Sequence, residues 1–130
     1  MKESRQPIIS VVIPTYNQAH LLRRSLKSVL DQSYSNWEAI VIDNHSKDNT
    51  DEVVHSFIDP RITLLKIHNQ GVIADSRNMG IQAANGEWIA FLDSDDLWYA
   101  SRLSSCTQLL EHNSQFDVIS TDEIMVFSGL

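Results

Sequence analysis

The stretch Trp88-Ile89-Ala90-Phe91-Leu92-Asp93-Ser94-Asp95-Asp96 runs five apolar residues straight into three carboxylates within four positions. A short apolar run of this kind reads as a buried strand. Two carboxylates about 6 Å apart repel by roughly 3 kcal/mol at an effective dielectric near 20, so a strand end that gathers three of them needs compensation. Two forms of compensation are common. One is a hard divalent cation held by oxygen ligands, often together with a substrate's phosphates. The other is a helix N-terminus, whose free N–H groups favour Asp. The first makes the chain a handler of phosphorylated ligands and the second makes this stretch a capped helix. Taken by itself the stretch leaves both open, and Asp96 reads as the helix cap.

Working outward, apolar runs alternate with segments of helical period. Residues 8–13 are nearly all apolar and β-branched, and Pro14 ends them. Leu22, Leu26, Val29 and Leu30 then recur at helical spacing, with Arg23, Arg24 and Lys27 directed outward. Strands are predicted over 38–42 and 62–67, with a short helix over 50–57 between them, capped from Asp48 to Thr50 and broken by Asp59-Pro60. After the turn Asn69-Gln70-Gly71 comes a helix over 74–84, closed by Asn85-Gly86. A helix over about 101–112 and a short strand over 116–119 follow the acidic stretch. Crossovers that carry helices imply parallel strands, and strands apolar on both faces need cover on both sides. The fold class is therefore α/β, an open, doubly wound, mainly parallel sheet. In such sheets ligands bind beyond the carboxyl ends of the strands, so the polar clusters 15–17, 43–46 and 93–96 should converge on one edge.

The bulk properties narrow the function. A chain of 130 residues with 42% hydrophobic content suits one packed domain. A formal charge of −7 without a basic run argues against nucleic-acid binding, though a cation can still carry a nucleotide's phosphates. Cys106 is the single cysteine, which excludes an internal disulfide and fits a reducing, cytoplasmic setting. No apolar run nears the ~20 residues of a membrane span. Residues 1–7 read as an N-terminal tail without the apolar core of a signal peptide. Ile124-Met125-Val126-Phe127 begins a further apolar segment just before Leu130, so residues 1–130 are expected to be a truncated single domain. An unpacked apolar end of this kind is also expected to favour self-association.

Four motifs in order resemble glycosyltransferase family 2, the inverting nucleotide-sugar transferases of GT-A fold, in their nucleotide-binding half. They are Ser10-Val11-Val12-Ile13-Pro14-Thr15-Tyr16-Asn17, then Val41-Ile42-Asp43-Asn44-His45-Ser46-Lys47-Asp48, then Asn69-Gln70-Gly71 with Ser76-Arg77-Asn78-Met79-Gly80-Ile81, and finally 86–96, which ends in the DxD motif Asp93-Ser94-Asp95. The match covers about residues 8–121.

The resemblance implies a nucleotide site built from Pro14, Thr15, Tyr16, Asp43, Asn44, Arg77, Asp93 and Ser94. Tyr16 would stack on the base, Asp43 and Asn44 would contact base or ribose, and Asp93 would hold the ribose. Asp95 would ligate Mg²⁺ or Mn²⁺ at the diphosphate. It implies sugar transfer from a nucleoside-diphosphate donor to a sugar or lipid-linked acceptor, in cell-surface polysaccharide or glycolipid assembly. Membrane association would come through the parent protein or its acceptor. The acceptor-binding part and the general base of the family have no matching position here. The base is expected beyond Leu130, and the 130 residues alone are expected not to transfer. The alternative reading is a non-catalytic nucleotide-sugar-binding module. A phospho-acceptor receiver domain is also α/β with clustered Asp, but it needs acidic residues where this first strand ends in Pro14-Thr15-Tyr16. Two departures from the family pattern stand out. Asn44 occupies a position that is often Asp, which leaves the base open, and His45 occupies one that is often Gly, where a positive φ would be mildly strained.

Overall fold

The computed structural model describes residues 8–125. Eight elements follow one another: β1 (Ile9–Thr15), α1 (Ala19–Leu30), β2 (Trp37–Asp43), α2 (Thr50–His55), β3 (Ile62–Lys66), α3 (Ile73–Ala83), β4 (Trp88–Phe91) and α4 (Arg102–His112). Apart from α1, which begins three residues before its first predicted apolar position, each lies within two residues of its predicted span. The four strands form one sheet in the order β3-β2-β1-β4, and every pairing is parallel. The order reverses at β1, where the chain first winds outward through β2 and β3 and then returns to β4 on the other side. In doubly wound sheets such a reversal is where a ligand crevice opens.

The strand period of two sorts the core into two layers. Val11 and Ile13 of β1, with Ala39 and Val41 of β2, pack against Leu22, Leu26 and Val29 of α1, Val54 of α2 and Leu103 of α4. Val12, Ile40 and Ile42 lie on the opposite face, with Met79 of α3 packed against them. β1 and β2 are thus buried on both faces, which is why their sequences are apolar without alternation. Trp88 and Trp98 pack against the first layer.

The strand predicted over 116–119 does not form. No described strand pairs with it, and Val118 is 83% exposed. A four-residue segment with two such apolar residues gains too little burial there to offset the cost of ordering its backbone. Ile124 and Met125 are likewise exposed. Val126 and Phe127, and the tail at 1–7, lie outside the described residues. No helix among the described residues is long and apolar enough to cross a membrane.

Candidate functional site

β1, β2 and β4 all end at one edge, and the loops leaving them are tied together. The Asn44 N–H donates to the Thr15 carbonyl at 3.0 Å, extending the β1–β2 pairing past the strands. Asn17, in a left-handed conformation at φ 50°, donates its N–H to Ser46 Oγ at 2.8 Å and accepts from the Lys47 N–H through Oδ1 at 2.8 Å. Asp48 accepts from the Ala19 N–H at 3.0 Å and from Thr50, so one carboxylate serves the first turns of both α1 and α2. Desolvation works against its charge, but the Thr50 and Ala19 hydrogen bonds outweigh it and hold the carboxyl below its ordinary range.

Between the β1 loop, α3 and the end of β4 lies a cleft of about 320 Å³. Seven of the residues expected from sequence line it: Pro14, Thr15, Tyr16, Arg77, Asp93, Ser94 and Asp95. Tyr16 is 52% exposed, so its ring is not a core side chain. Thr15 is only 5% exposed, and its Oγ1 has no hydrogen-bond partner. A buried hydroxyl left unpaired costs about 1–3 kcal/mol, so one beside an open cleft calls for a partner from the cleft, a water or a ligand. Arg77 donates to Asp93 at 3.0 Å across the cleft, and its Nε is also buried without a partner.

Two expected residues are placed elsewhere. Asp43, at 0% exposure, spends its carboxylate internally: it accepts from Ser46 through both N–H and hydroxyl, and pairs with Lys66 at 2.7 Å. Burial opposes the charge of Lys66, but Asp43 and Asp51 together raise its pKa. Asn44 accepts from the Asn69 N–H through Oδ1 at 2.9 Å. Neither residue lines the cleft. His45 does adopt the positive φ expected of it, at 48°, and its ring stacks on that of His68 with centroids 3.7 Å apart.

The acidic end of β4 does not open a helix. Asp96 is not a helix cap, because α4 begins only at Arg102, with Ser101 before it. The chain turns instead, the Asp96 N–H donating to the Asp93 carbonyl at 3.0 Å. Asp93, Asp95 and Asp96 each offer a carboxylate oxygen within 4.8 Å of the others. Partial desolvation, then the like charges of Asp95, Asp93 and Glu123, push the Asp96 carboxyl above its usual range. Arg77 compensates Asp93, while Asp95 has no ion pair among the described residues. An all-oxygen donor set with uncompensated negative charge, beside an orphaned buried hydroxyl, fits a hard divalent cation.

Sequence reasoning missed four cleft residues: Gln18, Asn69, Ile73 and Ser76. Asn69 is a junction, donating its side-chain N–H to Ser76 Oγ at 2.9 Å and accepting from the Gly71 N–H at 2.9 Å. In sequence it reads as a turn residue within the third family-like motif, without a role in the site assigned to it.

With this geometry in view, known proteins are informative. The sequence model of the family described as Glycosyl transferase family 2 matches residues 10–125. The Escherichia coli UDP-Glc:alpha-D-GlcNAc-diphosphoundecaprenol beta-1,3-glucosyltransferase WfgD is 42% identical over 110 residues, which are 84% of this chain and 44% of that protein. Staphylococcus aureus TarS 1-349 in complex with UDP-GlcNAc superposes with a TM-score of 0.78 at 26% identity, over 82% of this chain and 32% of that one. The mannosyltransferase PcManGT of Pyrobaculum calidifontis, solved with GDP-Man and Mn²⁺, superposes with a TM-score of 0.74 at 28% identity, over 82% and 33%. The chain thus spans less than half the length of the curated relatives it matches. With a family match over residues 10–125 and these likenesses in sequence and fold, the chain belongs to glycosyl transferase family 2.

Proposed function

We propose that these residues form the donor half of an inverting glycosyltransferase. It takes sugar from a nucleoside-diphosphate sugar and passes it to a sugar or lipid-linked acceptor in surface polysaccharide or glycolipid assembly. The observation that carries the reading is the cleft itself. An exposed aromatic ring, an unpaired buried hydroxyl, a guanidinium and a compact carboxylate cluster line one hollow at the strand order's reversal. Binding of UDP-GlcNAc by TarS and of GDP-Man with Mn²⁺ by PcManGT supports a nucleotide-sugar ligand, and the lipid-linked acceptor in WfgD's name supports the acceptor class.

Tyr16 offers its ring face to the base, worth about 1–3 kcal/mol in comparable stacks. Thr15 supplies a hydrogen bond to the nucleoside. Arg77 holds the diphosphate side of the cleft and keeps Asp93 oriented toward it. Asp43 and Asn44, which the family resemblance assigns to base or ribose, also fix the loops that shape the site. Asp95 is the ligand for Mg²⁺ or Mn²⁺, with Asp93 and Asp96 nearby. When bound there, the cation offsets the negative charge that develops on the departing diphosphate. Direct displacement of that group by the acceptor inverts the anomeric centre and needs a general base. In this reading the base and the acceptor site belong to parts of the family outside these 130 residues, so the chain alone binds donor and does not transfer to acceptor.

Calorimetry with UDP and GDP, with and without Mn²⁺, tests the proposal. The expected result is nucleotide binding strengthened by Mn²⁺, with the strengthening lost in Asp95→Asn. Equal binding by both proteins in both conditions would overturn it.

A further inference from the structure

The acidic turn has no regular secondary structure between β4 and α4, yet its backbone is held at several points by one helix. The holding groups lie on α1 and on the residues flanking it. Gln18 Oε1 accepts from Ser94 Oγ at 2.5 Å. Ser25 Oγ lies 2.7 Å from the Ser94 carbonyl oxygen and 2.7 Å from that of Asp96. The Trp98 N–H donates to Ser28 Oγ at 3.3 Å. Gln32 donates to the Tyr99 carbonyl at 2.7 Å and accepts from the Leu103 N–H at 3.0 Å. Residues 18, 25, 28 and 32 are spaced by seven, three and four, which places them on one stripe of a helix. The neighbouring stripe, Leu22, Leu26 and Val29, packs on the sheet.

Ser25 is the telling member. It is 0% exposed, so an apolar residue would serve packing better, and serine is not a strong helix former. Its hydroxyl has a single proton, for which the carbonyls on either side of Asp95, each at 2.7 Å, compete with the Leu21 carbonyl of its own helix at 3.3 Å. The turn therefore wraps this one donor. The side chain of Ser94, 3% exposed, is anchored to Gln18 from the same direction.

We propose that Gln18 and Ser25 are positioning residues that set the place of Asp95 and hence the cation affinity of the donor site. This deepens the donor-site reading above and rests on it. A carboxylate on an untethered turn must be ordered when the ion arrives, whereas one on a turn already fixed by α1 does not. Neither residue needs to touch the nucleotide base for this effect.

The test uses the 130-residue chain and the variants Ser25→Ala and Gln18→Ala. Gln18 is only half-buried, so its variant keeps the question answerable should Ser25→Ala fail to fold. Mn²⁺ binding is followed by electron paramagnetic resonance, in the presence of whichever of UDP or GDP the unaltered chain takes. Metal-free nucleotide affinity and melting midpoint are measured in parallel. Both variants should bind Mn²⁺ about tenfold more weakly, the lower end of what outer-shell partners contribute, and in Ser25→Ala, whose side chain does not line the cleft, metal-free nucleotide affinity should hold within about twofold. Unchanged Mn²⁺ affinity in the folded variants would overturn the positioning role while leaving the donor site standing. So would an equal loss of metal-free nucleotide binding, which would make the residues part of the general shape of the cleft. Failure of the unaltered chain to bind Mn²⁺ with either nucleotide would overturn the donor-site reading and this inference with it.

Discussion

Gly80 sits in the middle of α3, where glycine costs about 1 kcal/mol relative to alanine. Replacing it with alanine should nonetheless destabilise the protein. A Cβ built there would lie 2.4 Å from Val12 Cγ1 and 3.0 Å from its Cγ2. Ordinary carbon contacts are about 3.5–4.0 Å, so the closer approach is short by about an ångström. Val12 cannot easily yield: it is fully buried in the centre of the sheet and β-branched, with little rotamer freedom. Overpacking of this kind costs about 1–3 kcal/mol. Set against the ~1 kcal/mol gained in helix propensity, the net expectation for Gly80→Ala is about 0–2 kcal/mol of lost stability.

The single variant therefore decides little, and the pair with Val12→Ala decides more. Removing the two Val12 methyl groups costs about 1.6 kcal/mol in burial alone, and the cavity left behind adds to that. The methyl group added at position 80 then enters space the valine vacated. Together the two changes should cost less than the sum of their separate costs, by about 1–3 kcal/mol, within the range seen for residues in contact. Urea unfolding of the four proteins measures this directly. Additivity within about 0.5 kcal/mol would refute the claim that α3 is seated on β1 through this glycine. Nucleotide binding gives a second readout, because α3 also carries Ser76 and Arg77 to the cleft. Binding lost in Gly80→Ala should return in the double variant.

Three further outcomes are expected. Tyr16→Ala should weaken nucleotide binding by about 1–3 kcal/mol with little change in melting midpoint; a large drop in midpoint with unchanged affinity would make the ring structural. Arg77→Gln should leave stability within about 1 kcal/mol, because its pair with Asp93 is roughly half-exposed, yet weaken nucleoside diphosphates far more than nucleosides in calorimetry. Glu38 is held below the ordinary carboxyl range, since hydrogen bonds from Ser10, Asn85 and Gly86 outweigh its desolvation. Its stabilisation is therefore present above the unfolded-state pKa of about 4.3 and lost as pH falls through the lower folded value. Glu38→Gln should lower the melting midpoint near neutral pH and flatten its decline below about pH 4; an unchanged acid limb would count against the carboxylate's role.

The fold was legible because it rests on patterns that are local in the chain. β1 and β2 are apolar on every residue that matters for two-sided burial, and the helical stripe of Leu22, Leu26 and Val29 could serve only one face. The strand at 116–119 misled because Val118 and Ile119 have strand propensity, while propensity does not supply a neighbour. What decides a short strand is pairing and burial, and Val118 has little burial. Asp96 misled in a similar way. An Asp before a helical segment is a good cap only if the helix starts there, and here α1 takes over the turn before α4 begins.

The same limit explains the division of the second acidic loop. Asp43 and Asn44 are adjacent and equally polar in sequence, and both are plausible contacts for a nucleotide. Their fates are set by partners far along the chain. Lys66 ends β3 next to β2 in register with Asp43, and that pairing fills the carboxylate's free side. Asn69 then brings its backbone N–H to Asn44. These internal hydrogen bonds hold both side chains in place, while each acceptor oxygen can take more than one hydrogen bond. Thr15 faces the opposite balance. Its hydroxyl is already desolvated and unpaired, so a ligand's polar atom gains there without displacing anything. Which polar groups the fold leaves without a partner is visible only after the long-range pairs are known.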